Sequence, residues 1–293
     1  MLRKCVCQCL KYAALASILS AGGVWGACMD SGLQIQVLGS GGPFGNGGLS
    51  SSSYLVWIDG TARIMIDAGG GTSGHFQQSG ATVDDLEIVA ISHFHPDHSA
   101  ELPAILWPSG GKVLIAGPSG DGVFPSVEEF LDRLFSQTGA YTILGDRLDV
   151  ETITVDASQP DSVEVWRNEE IALFGFPVPH ADVPSIAYRV DYKGKSVAFS
   201  SDQNGSNSEF SKFVQDVDVL IAHMGREDMT GTIANLHVKP SVLGRLASDA
   251  NVKKVVVSHI AYPDVLDENL RYLTAKYTGD VSIASDMMCI RVD

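Results

Sequence analysis

Apolar and polar positions first fall into a regular pattern at Leu33, where LQIQVLG alternates as a half-buried strand does. Two further runs, Tyr54–Ile58 and Arg63–Asp67, flank Asp59-Gly60, a dipeptide that suits a tight hairpin turn. Ile88–Ile91 and Lys112–Gly117 are short apolar runs that predict buried strands. Between them, Ala100–Trp107 predicts a short helix. Val127–Phe135 spaces its apolar residues at helical intervals and predicts an amphipathic helix. From Asp149 to Ser200 the pattern is strand-rich, with runs at Thr152–Val155, Val163–Trp166, Ile171–Val178, Ser185–Val190 and Ser196–Ser200. Helices and strands then alternate to the end. Val219–Ala222 and Val255–Val257 read as buried strands, and Pro240 opens a helix that runs to Ala250. Strand runs bracketed by helices predict a layered α/β fold.

Composition adds limits to this picture. The chain has 293 residues, 45% of them apolar, enough for a sizeable core. Its formal charge of −15 argues against a broad basic face that grips nucleic acid. Arg3, Lys4 and Lys11, with the apolar stretch Tyr12–Trp25, predict a secretory signal over residues 1–27. That stretch is too short for a transmembrane helix. Small residues at Gly26 and Ala27 suit cleavage, and WGAC is similar to a lipoprotein signal that would place a lipid on Cys28. Cys5, Cys7 and Cys9 fall in the removed segment. Cys28 and Cys289 are then left to form one disulfide or to remain unpaired. No long linker or repeat follows, so residues 28–293 are expected to form a single domain. GSGGPFGNGGLSSSS lacks the Gly-Lys-Ser/Thr ending of a phosphate loop and predicts a flexible rim over a site.

The densest candidate chemistry lies in Leu86–Leu102, LEIVAISHFHPDHSAEL, where a strand delivers His93, His95, Asp97 and His98. Positions two apart in an extended loop point the same way, so His93 and His95 can grip one ion together. Pro96 turns the chain, and Asp97 and His98 then face a second position. Imidazoles with a carboxylate suit zinc and its divalent neighbours. The plain alternative is a polar loop of satisfied histidines, against which stands the number of ring nitrogens needing partners at one strand end. Other candidates also stand at strand exits: His180 after GFPVP, Asp202 after SVAFSS, and His259 after Val255–Val257. His237 lies just before the helix at Pro240, and His223 ends a strand with no assigned role. Asp67, before Ala-Gly-Gly-Gly, is either a carboxylate that orients a metal-ligating histidine or a turn cap.

The run from His93 to His98 resembles the His-x-His-x-Asp-His signature of the metallo-β-lactamase superfamily, and the later positions match its order. The resemblance implies a four-layer αββα sandwich with its site at the edge of the sheets. It implies two divalent ions, most commonly zinc: His93, His95 and His180 on one, Asp97, His98 and His259 on the other, and Asp202 bridging. LGSGGP, SSYLV, ARIMIDAGGG, IAGPSG and HVKPSVLGRLASDANVKKVVVSH are similar to the ribonuclease Z and arylsulfatase-like branch. That likeness implies catalytic roles for His237 near the leaving group and for Asp97 in orienting a hydroxide shared by the ions. Two departures weaken a tRNA-processing role. There is no inserted basic, glycine-rich arm. The branch's His-Glu-Ala-Thr segment is replaced by Ala222-His223-Met224-Gly225, without the glutamate that supports the catalytic histidine.

The expected function is therefore an exported dinuclear metallohydrolase that cleaves phosphodiester or sulfate-ester bonds in a small molecule. No extended nucleic-acid surface is expected, and membrane contact only through a lipid on Cys28. A β-lactam or lactone hydrolase is one alternative, although Asp202 and the lack of a Gly-His-Thr-x-Gly pattern around His180 stand against it. A metal-binding protein without turnover is the other.

Overall fold

The computed structural model describes Cys28 and residues 31–293. The expected signal segment, 1–27, lies outside the described residues. In chain order the strands begin with β1 (Leu33–Gly39), β2 (Ser53–Ile58), β3 (Thr61–Ile66), β4 (Ile88–Ala90), β5 (Lys112–Pro118) and β6 (Asp149–Val155). They continue with β7 (Val163–Arg167), β8 (Ile171–His180), β9 (Val183–Tyr192), β10 (Lys195–Phe199) and β11 (Val219–His223). β12 (Lys254–Ser258), β13 (Asp280–Ile283) and β14 (Cys289–Arg291) complete the series.

These strands form two 7-stranded sheets, ordered β14-β1-β2-β3-β4-β5-β6 and β13-β12-β11-β10-β9-β8-β7. The Asp59-Gly60 turn joins β2 to β3 with φ of 50° and 78°, the positive values that a hairpin of this kind requires. β3 to β6 run parallel, as do β10 to β13. Parallel strands deliver their C-terminal ends to one edge of a sheet, where α/β folds place their ligands. β8 and β10 each pair antiparallel with β9, so β8 ends at the same edge as β10.

Apolar side chains separate the molecule into four layers. Ile35, Tyr54, Val56 and Ile64 from one sheet meet Leu173, Tyr188, Phe199 and Ile221 from the other. Fully burying a side chain of this size stabilises by about 1.5–3 kcal/mol, and this layer repeats the contact across both sheets. On the outer face of the first sheet, Leu55, Met65 and Val89 pack against helices Thr72–Ser79, Leu102–Leu106 and Val127–Phe135. On the outer face of the second, Ala198, Leu220 and Val257 pack against Phe210–Phe213, Pro240–Asp249 and Leu266–Thr274. The αββα sandwich expected from the sequence is the fold observed. Among the described residues no helix is long and apolar enough to cross a membrane.

Local differences have physical reasons. β1 is buried along its whole length rather than on one face, because Gln34 and Gln36 lie under the outer layer. Trp57 Nε1 donates to Gln36 Oε1 at 3.0 Å and meets one of the buried amides. The helix expected over Ala100–Trp107 is shortened to Leu102–Leu106, preceded by a separate turn at Pro96–Ser99. Glu101 breaks the two apart: its backbone N–H donates to the Ala68 carbonyl, and its carboxylate accepts from Ser73 N at 2.6 Å. The cysteine alternatives resolve to a disulfide between Cys28 and Cys289, which ties the start of the described domain to β14.

Candidate metal centre

The edge to which both sheets deliver their strand ends carries every candidate residue. Ile66 leads into Asp67, β4 into His93, β10 into Asp202 and β12 into His259, while β8 and β11 end on His180 and His223 themselves. Asp67, Ser201 and His259 take φ of 59°, 53° and 55°. Such left-handed backbone costs about 1–3 kcal/mol at a residue other than glycine and collects where surrounding structure enforces a functional geometry. Gly69 permits a further close approach: a Cβ there would meet the Asp97 carbonyl.

Two clusters of donor atoms result. His93 Nε2 lies 3.1 Å from His95 Nδ1, and His180 Nε2 lies 3.4 Å from the same atom. These are the three imidazoles expected to share one ion. In the second cluster, His259 Nε2 is 3.2 Å from Asp97 Oδ2 and 3.4 Å from Asp202 Oδ1. His98 Nε2 stands 3.7 Å from the same two oxygens. The other Asp202 oxygen, Oδ2, faces His180 Nε2 at 3.9 Å and His237 Nδ1 at 3.6 Å.

The charge states suit cation binding. Burial holds His93, His95 and His180 below the usual imidazole range, so they are neutral and their lone pairs are available. Asp97 is held down to about 2, because its contacts with His259 and His98 outweigh the cost of burial. Asp202 is lowered further by His259 and His98, again against its burial. His98 is pushed well above its ordinary value, because Asp67 and Asp202 outweigh desolvation. Yet His98 Nε2 is fully buried with no hydrogen-bond partner. An orphaned imidazole nitrogen facing two carboxylates is the setting that a coordinated divalent cation satisfies. Imidazole and carboxylate donors without a thiolate fit zinc and its neighbours.

Hydrogen bonds behind the donors set their directions. Asp67 accepts from Ser92 N at 2.7 Å and from Ser92 Oγ at 2.9 Å, and holds His98 Nδ1 at 2.8 Å. Of its two sequence readings, the orienting carboxylate is the one observed. His180 Nδ1 is fixed by the Leu236 carbonyl at 2.8 Å. His223, which had no assigned role, places Nδ1 2.8 Å from Asp202 Oδ1. Its Nε2 lies 3.1 Å from Tyr54 Oη, itself 2.8 Å from Ser258 Oγ. With one nitrogen on Asp202 and the other on Tyr54, His223 braces the carboxylate from the buried side. Its placement at the end of β11, like that of His180 at the end of β8, was the available signal. Nothing in the pattern marks Tyr54 or Ser92.

His237 is brought to the rim, its side chain 16% exposed. Burial pushes its imidazole down to about 4 despite the pull of Asp202, so it is neutral at ordinary pH. In the segment that replaces His-Glu-Ala-Thr, His223 stands at the second position, that of the glutamate, and Met224 after it is buried in the outer apolar layer. Gly225 then lets the exit of β11 pass close to His237, where a Cβ would stand 2.9 Å from the His237 Cβ.

A four-layer sandwich that gathers seven imidazoles and three carboxylates at one sheet edge has the donor set of a metal-dependent hydrolase. Residues 62–260 match the family described as the beta-lactamase superfamily domain, and the chain belongs to that superfamily. An uncharacterized protein of Mycobacterium tuberculosis is 27% identical over 263 residues, covering 85% of this chain and 88% of its own. A ribonuclease Z of Mycobacterium avium is 25% identical over 281 residues, covering 89% and 99%. The crystal structure of the metallo-beta-lactamase fold protein YhfI from Bacillus subtilis superposes with a TM-score of 0.70 at 20% identity, covering 88% of this chain and 98% of that one.

Proposed function

We propose that this protein is an exported hydrolase that cleaves phosphodiester or sulfate-ester bonds at a pair of divalent ions, zinc being the best match to the donors. The observation that carries the reading is the position of Asp202, with Oδ1 toward His98 and His259 and Oδ2 toward His180. One carboxylate so placed would join the two clusters into a single dinuclear site. His93, His95 and His180 would hold one ion, and Asp97, His98 and His259 the other. Bound there, the ions would supply Lewis acidity and a nucleophile at neutral pH.

The side chains do the remaining work. Asp97 is ionised and stands at the second cluster, where its carboxylate can orient an attacking water. His237, neutral at ordinary pH, can hold an N–H toward the leaving oxygen as a hydrogen-bond donor. Donation by a neutral ring is a way of stabilising the departing oxygen. Phosphodiester and sulfate-ester centres are both tetrahedral and anionic, so the same donors serve either. The ribonuclease Z relative supports the phosphodiester. The formal charge of −15 favours a small ester over a folded RNA.

Export is supported by the signal-like pattern of residues 1–27 and by the Cys28–Cys289 disulfide, a feature of oxidising compartments. A sulfur in that disulfide is not free to carry a lipid, so export without a lipid anchor is the form proposed. The test is hydrolysis of bis(p-nitrophenyl) phosphate and p-nitrophenyl sulfate by the metal-loaded protein. If neither is cleaved faster than by a His95→Ala control, the reading fails.

A further inference from the structure

A cavity of about 450 Å³ flanks the metal centre on its His180 side. Its walls come from the loops after β5 and β6, the β8–β9 hairpin and the segment beyond Asp202. His180 lines the cavity and is also one of the clustered donors, and Ser185 Oγ, in the same lining, donates to the backbone carbonyl of Asp202 at 3.2 Å. An ester held at the clustered donors has this space beside it for one of its organic groups, and the size suits a small-molecule substituent.

The lining chemistry narrows what fits. Its polar side chains include the carboxylates of Asp121 and Asp182 and the carboxamides of Gln159 and Asn207, and no Lys or Arg is among the lining residues. A second phosphate or a polyphosphate tail would meet like charge with no counter-ion. The lining also contains no Phe, Tyr or Trp, so an aryl group or a base would find no stacking face. The lining instead combines apolar Pro177, Val178, Val183 and Pro184, which suit the carbon skeleton of an aliphatic group, with hydrogen-bonding groups of both senses. Asp182 sits at the hairpin tip two residues after His180, and among the described residues nothing engages its carboxylate. Asn207 accepts Glu209 N on its Oδ1 at 3.0 Å, which leaves its amide N–H groups to donate. An acceptor and a donor in one lining match a hydroxyl, which both gives and takes a hydrogen bond.

We infer that this cavity is the subsite for an uncharged, hydroxyl-rich alcohol group, so that the ester cleaved is that of a polyol or sugar. The inference rests on the hydrolase reading above and names its substrate class. It is tested by measuring kcat/KM of the metal-loaded protein on bis(glyceryl) phosphate and on bis(p-nitrophenyl) phosphate, with Asp182→Ala and Asn207→Ala variants. The ratio of glyceryl to aryl kcat/KM is expected to fall about tenfold in each variant, through a raised KM for the glyceryl ester. If the ratio stays within about twofold of the unmodified protein while aryl cleavage persists, the subsite is overturned and the hydrolase reading stands. If the unmodified protein cleaves neither diester nor the aryl sulfate, the hydrolase reading fails and takes the subsite with it.

Discussion

The two donor clusters at this sheet edge are built on different principles. The His93, His95 and His180 cluster is made of neutral rings, and His95 is partly exposed. Its supports are weak acceptors: a hydroxyl, Ser92 Oγ, 3.1 Å from His93 Nδ1, and the Leu236 carbonyl on His180. The Asp97, His98, Asp202 and His259 cluster is buried, charged and braced by further ionisable groups. Asp67 stands behind His98, and His223 with Tyr54 stands behind Asp202. Without an ion, the second cluster balances its carboxylates by protonating His98. The contrast teaches that one half of the centre is pre-set to accept a cation, while the other must exchange a proton for it.

Removing the residue common to both halves should have the largest effect. Asp202→Ala is expected to lower kcat/KM by at least about a thousandfold, or about 4 kcal/mol of barrier, and to weaken metal binding at both clusters. Metal analysis alongside kinetics checks this, and loss confined to one ion would break the symmetry argued for Asp202. Asp67→Ala should act on one side only. It frees His98 Nδ1, and loss of such a support costs about 10–100-fold in metal affinity. Calorimetric titration should show that drop in one binding step and leave the other unchanged.

Acidity should separate the clusters again. His98 is raised above its ordinary value, so binding at its cluster must displace a proton, and affinity there should rise with pH across the neutral range. His93, His95 and His180 are lowered, so their cluster carries no proton to displace near neutrality and its affinity should stay flat until the solution is acidic. Titrations at several pH values read both slopes, and equal slopes would contradict the difference. The smallest effect is expected from Tyr54→Phe, which leaves His223 bound to Asp202 but removes its rear contact. About a tenfold loss of affinity at the second cluster is expected, seen as a change in the visible spectrum of the cobalt-substituted protein.

How much of this was readable in advance follows the same division. His93, His95, Asp97 and His98 lie within six residues, and strand exits mark His180, Asp202 and His259, so local pattern located them. The layered fold was readable because apolar runs bracketed by helices are local properties repeated along the chain, and its four-layer form was what the family resemblance implied. The supports of the buried cluster were not. Tyr54 meets His223 across a separation of 169 residues, and Ser92 meets Asp67 across 25. Such partners are chosen by sheet register and layer packing, which no spacing rule records. His223 lies between the cases: its position at a strand end was visible, but its role depends on where Asp202 falls in space.

Asp202 is proposed to join the two clusters into one dinuclear site. Titrating the metal-free protein with zinc, with ion content measured on the same sample, tests it most directly. Two ions per chain are expected, bound in two steps of which only one releases a proton at neutral pH. One ion per chain at saturation, with the second cluster keeping its proton on His98, would contradict it.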